Sequence, residues 1–384
     1  MTTPDGHSHL IQSTILVTGG SGGLASRILQ LFAERGCEHL HSLDLREPSH
    51  YLPGVNYHTG DLTNADTIRQ LFANVQPKII IHTASPKFDA PSPILHQVNV
   101  EGTRTLLQIA RESGTQCFVY TSSASVISDA QTDLVNADET FPVLLEQSQQ
   151  PEFYVYTKAL AESDVLSQNQ RRATHPFLTC AIRPSGIFGV GDLVVLPGIL
   201  DAYFRGQTQW QIGDNRNRFD FTERTNVAHA HYLAAAALLA QLEKCHDSPG
   251  VQEDEGDDDK TKVDGEAFFI TNGEPRCFWD FTRLVWGFAG DTTPRERVWV
   301  IPRPWALRLA GVLEWACWAL GLGQPSLTQT KVRLSCMTRS FCIEKAKTRL
   351  GYRPVVGLEE GLQRAVEDCL RRRATEDEGL KKRS

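Results

Sequence analysis

A buried strand that runs into a glycine-rich turn and then a helix constrains the fold more than any other feature of this sequence. Residues 14–17 (TILV) are a short, mostly β-branched run, and residues 18–23 (TGGSGG) interrupt it. Helical periodicity follows in residues 26–32. Strand, glycine turn and helix in this order are the setting in which a glycine-rich loop binds the pyrophosphate of a dinucleotide. The stretch therefore predicts a nucleotide-binding unit.

Each small residue of the turn has a predicted part in that binding. Gly19 allows the tight turn, and Gly22 lets the backbone approach the pyrophosphate. Gly23 and Leu24 lead into the helix, whose first N–H groups and positive dipole end attract phosphate. The third small position carries Ala25, where glycine is usual, and we expect its single methyl group to be tolerated.

Further strands alternate with helices along the first half of the chain. The strand-like runs have strong β propensity and cover residues 39–44, 55–58, 78–85 and 117–123. Such alternation predicts an α/β fold with a doubly wound parallel sheet, the Rossmann architecture. Sheets of this kind bind ligands at the carboxyl ends of their strands.

The second of these strands ends in an acid, Asp44. It lies near the offset of about 20 residues at which an acid binds the ribose hydroxyls of a dinucleotide. Because a carboxylate repels a 2′-phosphate, Asp44 favours NAD over NADP. Arg46 is able to accommodate that phosphate, which keeps NADP open as the alternative.

Tyr154 and Lys158 are one helical turn apart in a stretch with helical character, residues 154–163. The pKa of a free phenol is roughly 10, and a neighbouring ammonium lowers it. A positioned tyrosine with a lowered pKa can take a proton from a substrate hydroxyl. The same spacing occurs on ordinary helix faces, so this prediction depends on the motifs that precede it.

Together these motifs resemble the extended short-chain dehydrogenases/reductases in order and in spacing. The resemblance rests on the glycine loop, Asp44, Asp61-Leu62, residues 82–85, Asn99, Ser122-Ser123 and the Tyr154/Lys158 pair. It implies that Ser123 orients the substrate hydroxyl, that Tyr154 is the base and that Lys158 binds the nicotinamide ribose. Ser125 stays an alternative to Ser123. The cofactor-lining residues that the resemblance implies are Asp61 and Leu62 at the adenine, Ala84 and Ser85 along the cofactor, Asn99 at the active-site helix, and Pro184 and Ile187 beside the nicotinamide.

Segments of the second half narrow the resemblance to the 3β-hydroxysteroid dehydrogenase branch, and within it most of all to the fungal decarboxylating enzymes of sterol biosynthesis. They are residues 137–142, 211–215, 219–222, 226–231, 266–272 and 345–354. The implied reaction oxidises the 3β-hydroxyl of a 4α-carboxysterol with NAD and releases carbon dioxide. Two departures from the family pattern are Ala25 and the charged run Glu223-Arg224-Thr225; the second leaves the exact substrate open.

We expect an NAD-binding domain in residues 1–190 that includes the Tyr154/Lys158 helix, and a smaller substrate-binding part, mainly in residues 191–370, with segments that return to the first domain. Residues 243–266 contain an acidic run without periodicity and are interpreted as a flexible insert. Residues 371–384 are expected to form a charged tail.

Composition excludes several other classes of protein. A net charge of −7 gives no reason to expect a nucleic-acid partner, and nine scattered cysteines without a Cys-x-x-Cys pair argue against disulfides or zinc. His229 and His231 diverge on a predicted helix, so we expect no metal. The polar residues 1–13 are not expected to be a signal peptide.

The most apolar stretch after residue 300 is residues 305–323, which is interrupted by Arg308 and Glu314. The charges argue against a transmembrane helix. Two interpretations stay open: a core helix of the small domain, or a helix at a membrane surface with tryptophans at the interface. The chain ends KKRS, which resembles a dilysine retrieval signal or is simply a solvated basic tail. We therefore predict peripheral association with the cytosolic face of the endoplasmic reticulum, and otherwise a cytoplasmic enzyme.

Other functions remain open at this stage. A dehydrogenase that acts on the 3-hydroxyl of a triterpenoid or another secondary metabolite needs the same site, and nucleotide-sugar epimerases share the cofactor half. A silent NAD-binding module of a sterol-processing complex is the alternative of another class. Partners in such a complex and a homodimer are further expectations.

Overall fold

The computed structural model describes residues 5–247, 261–323 and 325–381. Its strands are β1 Ile15–Thr18, β2 Leu40–Asp44, β3 Val55–Thr59, β4 Ile79–His82, β5 Cys117–Thr121, β6 Leu134–Ala137, β7 Leu178–Pro184, β8 Ile187–Phe188, β9 Trp210–Ile212, β10 Arg218–Phe219, β11 Thr222–Glu223, β12 Glu266–Ile270, β13 Arg276–Cys277, β14 Trp299–Ile301 and β15 Arg339–Phe341.

Its α-helices are α1 Asp5–Gln12, α2 Gly23–Glu34, α3 Ala65–Val75, α4 Ser92–His96, α5 Thr103–Glu112, α6 Phe153–Ser167, α7 Val195–Phe204, α8 Arg224–Asp247, α9 Phe278–Phe288, α10 Arg303–Leu320, α11 Gln329–Cys336, α12 Glu344–Arg349 and α13 Leu358–Lys381. A π-helix, Gln97–Gly102, joins α4 to α5, and short 3₁₀ helices cover Ala124–Ile127, Gln147–Gln149 and Arg295–Arg297.

The largest sheet has seven strands in the order β12-β7-β5-β4-β1-β2-β3, and its described pairs are all parallel. This confirms the predicted doubly wound α/β architecture. Every residue of β1, β4 and β5 is buried, because helices cover both faces of the sheet and leave no polar side for the strands. One apolar cluster includes residues of α2 and α8, and the other includes residues of α3 and α5.

The second half of the chain returns to this sheet, since β12 pairs with β7 along its whole length. The remaining strands form small sheets: β13-β10-β15-β6, β11-β8 and β14-β9. The first of these brings β15, near the end of the chain, beside β6 from the first half. Residues of distant parts of the sequence therefore meet next to the end of β5.

The charged tail and the acidic insert are only partly within the described residues. Helix α13 runs to Lys381, so most of the expected charged tail is helical; Arg372 holds it by donating to Asp368 at 2.9 Å and to the Asp192 carbonyl at 2.9 Å. The last three residues, which carry most of the dilysine-like ending, lie outside the described residues, as do residues 248–260 of the acidic insert.

Candidate active site

The glycine loop is pressed against the end of β4. Gly19 has φ +75°, and its N–H donates to the Leu43 carbonyl at 2.7 Å. A Cβ added to Gly19 would lie 2.8 Å from the Cα of Ala84, so both the backbone conformation and the space require glycine. Gly22 then caps α2, and Gly23 is its first residue. The first N–H groups of a helix have no intrahelical acceptor and are free to bind an anion.

Asp44 lies at the rim of this loop, at the end of β2. Its carboxylate accepts hydrogen bonds from the Ser21 N–H at 3.0 Å and from the Arg46 N–H at 3.1 Å. The acid is thereby fixed beside the loop, where the offset from the glycines predicts the ribose hydroxyls. These residues fit the adenosine half of NAD.

Replacing Asp44 with Ala is expected to weaken NAD binding about 10-fold, because a charge-assisted hydrogen bond is lost. The loss of negative charge should also improve NADP binding relative to NAD. Titration of both cofactors by fluorescence measures the ratio of their dissociation constants. Asp66→Ala, which removes an exposed carboxylate on α3, is the matched control. A wild-type enzyme that already prefers NADP would contradict this role for Asp44.

Tyr154 and Lys158 lie one turn apart on α6, directly beyond the end of β5. Tyr154 is half-buried and Lys158 is buried. The Lys158 ammonium donates to the Thr121 carbonyl and lies 4.4 Å from the centre of the Tyr120 ring. Ser123 follows the same strand, and its hydroxyl accepts a hydrogen bond from the Ser125 N–H at 3.2 Å. The structure thus brings the three predicted catalytic side chains to one edge of the sheet.

Electrostatics at this site differ in one respect from the sequence-based expectation. Burial raises the pKa of Tyr154, a hydrogen bond from Ser85 opposes this, and Glu152 adds to it. Burial also lowers the pKa of Lys158 to about 7, against the opposite effect of Glu162. The pKa of Tyr154 is thus raised, where the sequence predicts that Lys158 lowers it, because desolvation dominates. Tyr154 is therefore a neutral phenol at neutral pH.

A buried chain of hydrogen bonds ties α6 to the glycine-loop side of the sheet. Asn99, in the π-helix, donates to Thr157 at 2.9 Å, and Thr157 donates to the Tyr154 carbonyl at 2.7 Å. On the other side, His82 bridges Thr18 at 2.7 Å and Thr103 at 2.9 Å. The Thr103 hydroxyl also donates to the Asn99 carbonyl at 2.6 Å, so one network positions α6 and the end of β1.

The other predicted cofactor residues lie around this edge. Leu62 is buried against Gly102, whereas Asp61 is exposed and accepts hydrogen bonds from Thr63 at 2.8 Å. Ser85 reaches the Tyr154 hydroxyl. Pro184 is the last residue of β7 and Ile187 the first of β8, so both flank the turn between these two strands.

His229 and His231 face different neighbours on α8. His229 contacts Arg35 at 3.0 Å, and His231 contacts Thr121 at 2.7 Å and the Val227 carbonyl at 2.8 Å. Burial lowers the pKa of each imidazole to about 4. Their hydrogen bonds are structural. His231 contacts the side chain of Thr121, and the carbonyl of the same residue accepts a hydrogen bond from Lys158.

Arg339 is a candidate site residue that the sequence analysis missed. It lies on β15 and is 9% exposed, and its guanidinium donates to the Ser125 hydroxyl at 2.8 Å. Its Nε has no acceptor among the described residues. An arginine two residues from both Met337 and Phe341 was the one available signal, but nothing local indicates that β15 reaches the end of β5. The structure places an incompletely paired cation beside the segment of Ser123 and Ser125.

The motifs of both halves agree with one family. The model of the 3-beta hydroxysteroid dehydrogenase/isomerase family matches residues 16–303. The chain belongs to this family. Its members that resemble the chain include the decarboxylating sterol-4-alpha-carboxylate 3-dehydrogenase of Schizosaccharomyces pombe, 37% identical over 92% of this chain and 96% of the relative. The enzyme of the same name from Saccharomyces cerevisiae is 37% identical over 96% and 99%, and that of the mouse is 31% identical over 91% and 89%.

Solved structures agree with the fold. A UDP-glucose 4-epimerase of Thermotoga maritima superposes with a TM-score of 0.64 at 18% identity, over 93% of this chain and 99% of the other. The UDP-glucose 4-epimerase of Thermus thermophilus, solved with NAD, gives 0.64 at 20% identity, over 92% and 98%. At these identities the likeness establishes the extended Rossmann architecture of this 3-beta hydroxysteroid dehydrogenase family member.

Proposed function

We propose that this enzyme oxidises the 3β-hydroxyl of a 4α-carboxysterol to the 3-ketone with NAD and releases carbon dioxide, a step of sterol C4 demethylation. Relatives that carry this name match nearly the whole chain. The observation that carries the proposal is the Arg339 guanidinium, which donates to the hydroxyl of Ser125, the residue whose N–H donates to the Ser123 hydroxyl. A substrate with a carboxylate next to the reacting alcohol needs a cation at this place.

The residues of the site divide the oxidation between them. Ser123 holds the substrate oxygen and Tyr154 takes its proton, while the nicotinamide of bound NAD supplies the acceptor for hydride. Lys158 would contact the nicotinamide ribose of bound NAD, the role that the family resemblance implies. Because burial raises the pKa of Tyr154, this step needs positive charge close to the phenol, which a bound oxidised nicotinamide would supply.

Decarboxylation follows from the product. Oxidation of the alcohol leaves a β-keto acid, whose C–C bond to the carboxylate breaks while the electron pair moves onto the ketone oxygen. Carbon dioxide leaves, and the enolate takes a proton to give the decarboxylated ketone. Ser123 and the now protonated Tyr154 are placed to stabilise the enolate oxygen.

In this scheme Arg339 makes the enzyme selective for sterols that carry the 4α-carboxylate. A buried guanidinium with a free N–H is costly unless an anion completes its hydrogen bonds. A carboxylate accepts two parallel hydrogen bonds from one guanidinium, which gives both affinity and orientation. The substrate acid would thereby fix the alcohol toward Ser123 and Tyr154.

The test is the appearance of NADH with a 4α-carboxy-3β-hydroxysterol in detergent, beside the matched sterol without the carboxylate. We expect turnover of the acid alone and a decarboxylated 3-ketone as product. Turnover of the uncarboxylated alcohol would instead support a 3β-hydroxyl dehydrogenase for a triterpenoid or similar metabolite. No NADH from either, with NAD still bound, would support the non-catalytic alternative.

We also propose that α10 attaches the enzyme to the cytosolic face of the endoplasmic reticulum membrane. Among the described helices, none has the length and hydropathy that a bilayer crossing requires. The core-helix interpretation of this segment is wrong, because the buried residues of α10 are Ala306 and Ala310. Trp305, Trp315 and Trp318 are 63%, 66% and 80% exposed.

The charges of α10 suit an interface. Glu314 turns toward α11, where both of its oxygens accept hydrogen bonds from Gln329 at 2.9–3.0 Å. Arg303 and Arg308 are exposed, and Arg308 lies 5.1 Å from the Trp305 ring centre. Tryptophan and arginine together are typical of helices that lie in the headgroup region.

Replacing Trp315 and Trp318 with Ser should abolish co-flotation with liposomes that contain anionic lipid, because the apolar surface that enters the interface is removed. Val135→Ser, at a position 69% exposed on β6, is the control and should leave flotation unchanged. Equal flotation of both variants would contradict a membrane role for α10. A homodimer and partners in a sterol-demethylation complex stay predictions.

A further inference from the structure

Arg224, in the charged run that departs from the family pattern, lies against the glycine loop and not in the substrate half. A Cβ added to Gly23 would be 2.9 Å from both Cζ and Nη1 of Arg224 and 3.0 Å from its Nη2. On the opposite side, a Cβ added to Gly191 would be 3.2 Å from the same Nη1. The guanidinium therefore fills the space between the first residue of α2 and the turn after β8.

Two helices begin at this point. Gly23 is the first residue of α2, and Arg224 is the first residue of α8. The N-terminus of a helix carries partial positive charge, so a cation here is destabilising unless negative charge is close by. The position therefore favours negative charge close to Arg224.

The acids nearest to Arg224 are Asp192, Glu223 and Asp368, and all three are engaged with other donors. Asp192 accepts hydrogen bonds from the N–H groups at the start of α7 at 2.8–3.2 Å. Glu223 accepts from the Thr225 N–H at 2.5 Å. Asp368 accepts from the Gly191 N–H at 2.8 Å and from Arg372, a second cation, at 2.9 Å. Among the described residues, no hydrogen bond or ion pair joins Arg224 to any of these acids, and its one hydrogen bond goes to the Val190 carbonyl.

The guanidinium itself has a donor to spare. Its Nη1 donates to the Val190 carbonyl, but its buried Nε has no acceptor within the part of the chain that the structure describes. A buried, charged N–H without an acceptor costs free energy that a bound anion would recover. The anion of an NAD-binding loop is the pyrophosphate.

We propose that Arg224 is a cofactor-binding residue, which makes a charge-assisted contact with the pyrophosphate held by the N–H groups of Gly23 and Leu24 at the start of α2. Gly23 is required for this arrangement, because any side chain at that position would displace the guanidinium. The inference rests on NAD binding at the glycine loop and is independent of the sterol. It predicts that the charged run Glu223-Arg224-Thr225 tunes cofactor affinity and leaves substrate choice to other residues.

Calorimetric titration of the full-length enzyme with ADP-ribose, which contains the pyrophosphate, and with adenosine, which lacks it, tests the proposal. Arg224→Gln should weaken ADP-ribose and NADH binding about 10- to 100-fold and leave adenosine binding unchanged. Arg224→Lys should recover part of the loss, because it restores the charge without the fork. Arg205→Gln is the matched control, since Arg205, directly after α7, is paired with Asp201 at 2.9 Å and should not affect either ligand.

A double-mutant cycle separates phosphate binding from loop structure. Gly23→Ala should weaken ADP-ribose binding in the wild-type background, because the new methyl group displaces the guanidinium. In the Arg224→Ala background the same substitution should cause no further loss of ADP-ribose affinity. Additive losses, an unchanged ADP-ribose affinity in Arg224→Gln, or an equal loss for adenosine would overturn the proposal. A wild-type enzyme that does not bind NADH would instead contradict the cofactor itself.

Discussion

Replacing Tyr154 with Phe is expected to reduce kcat for alcohol oxidation by a factor of about 10² to 10⁴, the usual contribution of a positioned acid–base group. The ring keeps its packing on α6, so the dissociation constant for NADH should stay unchanged. The hydroxyl is the only group removed, and with it the proton acceptor for the substrate alcohol. Stopped-flow measurement of hydride transfer, together with fluorescence titration of NADH, separates the two effects.

The same helix offers a matched control. Tyr156 is also half-buried on α6, and its ring packs on Phe153 with centres 5.7 Å apart. Tyr156→Phe removes the same hydroxyl two residues away and should leave both turnover and cofactor binding as they are. If Tyr154→Phe turned over at the wild-type rate, Tyr154 would not be the base. If it lost NADH binding as well, its hydroxyl would have a role in holding the cofactor.

Local patterns in the sequence were sufficient for the cofactor half. β1 and β2 lie within one residue of their predicted bounds, because a buried β-branched run and the breakers around it are properties of adjacent residues. The glycine loop and Asp44 are likewise separated by a single βα unit. Their relative placement follows from the fold, since parallel strands bring their carboxyl ends to one edge.

Contacts between distant segments could not be predicted from such local patterns. Arg339 and Ser125 are 214 residues apart, and they meet because β15 pairs with β6 and β10. Arg224 reaches Gly23 because α8 packs along α2, whereas the sequence suggested that this run concerned the substrate. Neither contact is encoded by spacing along the chain.

The pKa of Tyr154 shows a second limit of sequence reasoning. The spacing of Tyr154 and Lys158 indicates proximity, but it does not indicate where the ammonium points or how much water surrounds the phenol. In the structure Lys158 donates to the Thr121 carbonyl, and desolvation decides the direction of the Tyr154 shift. A neighbouring charge therefore predicts the direction of a pKa shift only when the degree of burial of the group is also known.

Replacing Arg339 with Leu should reduce kcat/KM for the carboxylated sterol by at least about 30-fold, because loss of one partner of a buried charge pair costs about 2 kcal/mol or more. The uncarboxylated alcohol makes no such pair, so its kcat/KM should stay the same or rise as the pocket becomes apolar. The ratio of the two values, measured by NADH formation, is the quantity to report.

Ser125→Ala provides the control for this prediction, because it removes the hydrogen bond to Arg339 and keeps the charge. It should preserve the preference for the acid. If Ser125 instead replaced Ser123 in orienting the hydroxyl, Ser125→Ala would reduce turnover of both sterols by the same factor. An equal loss for both sterols in Arg339→Leu would mean that Arg339 only supports the serine segment. The carboxylate would then have to be bound by another residue, and the strongest argument from geometry for a decarboxylating enzyme would be lost.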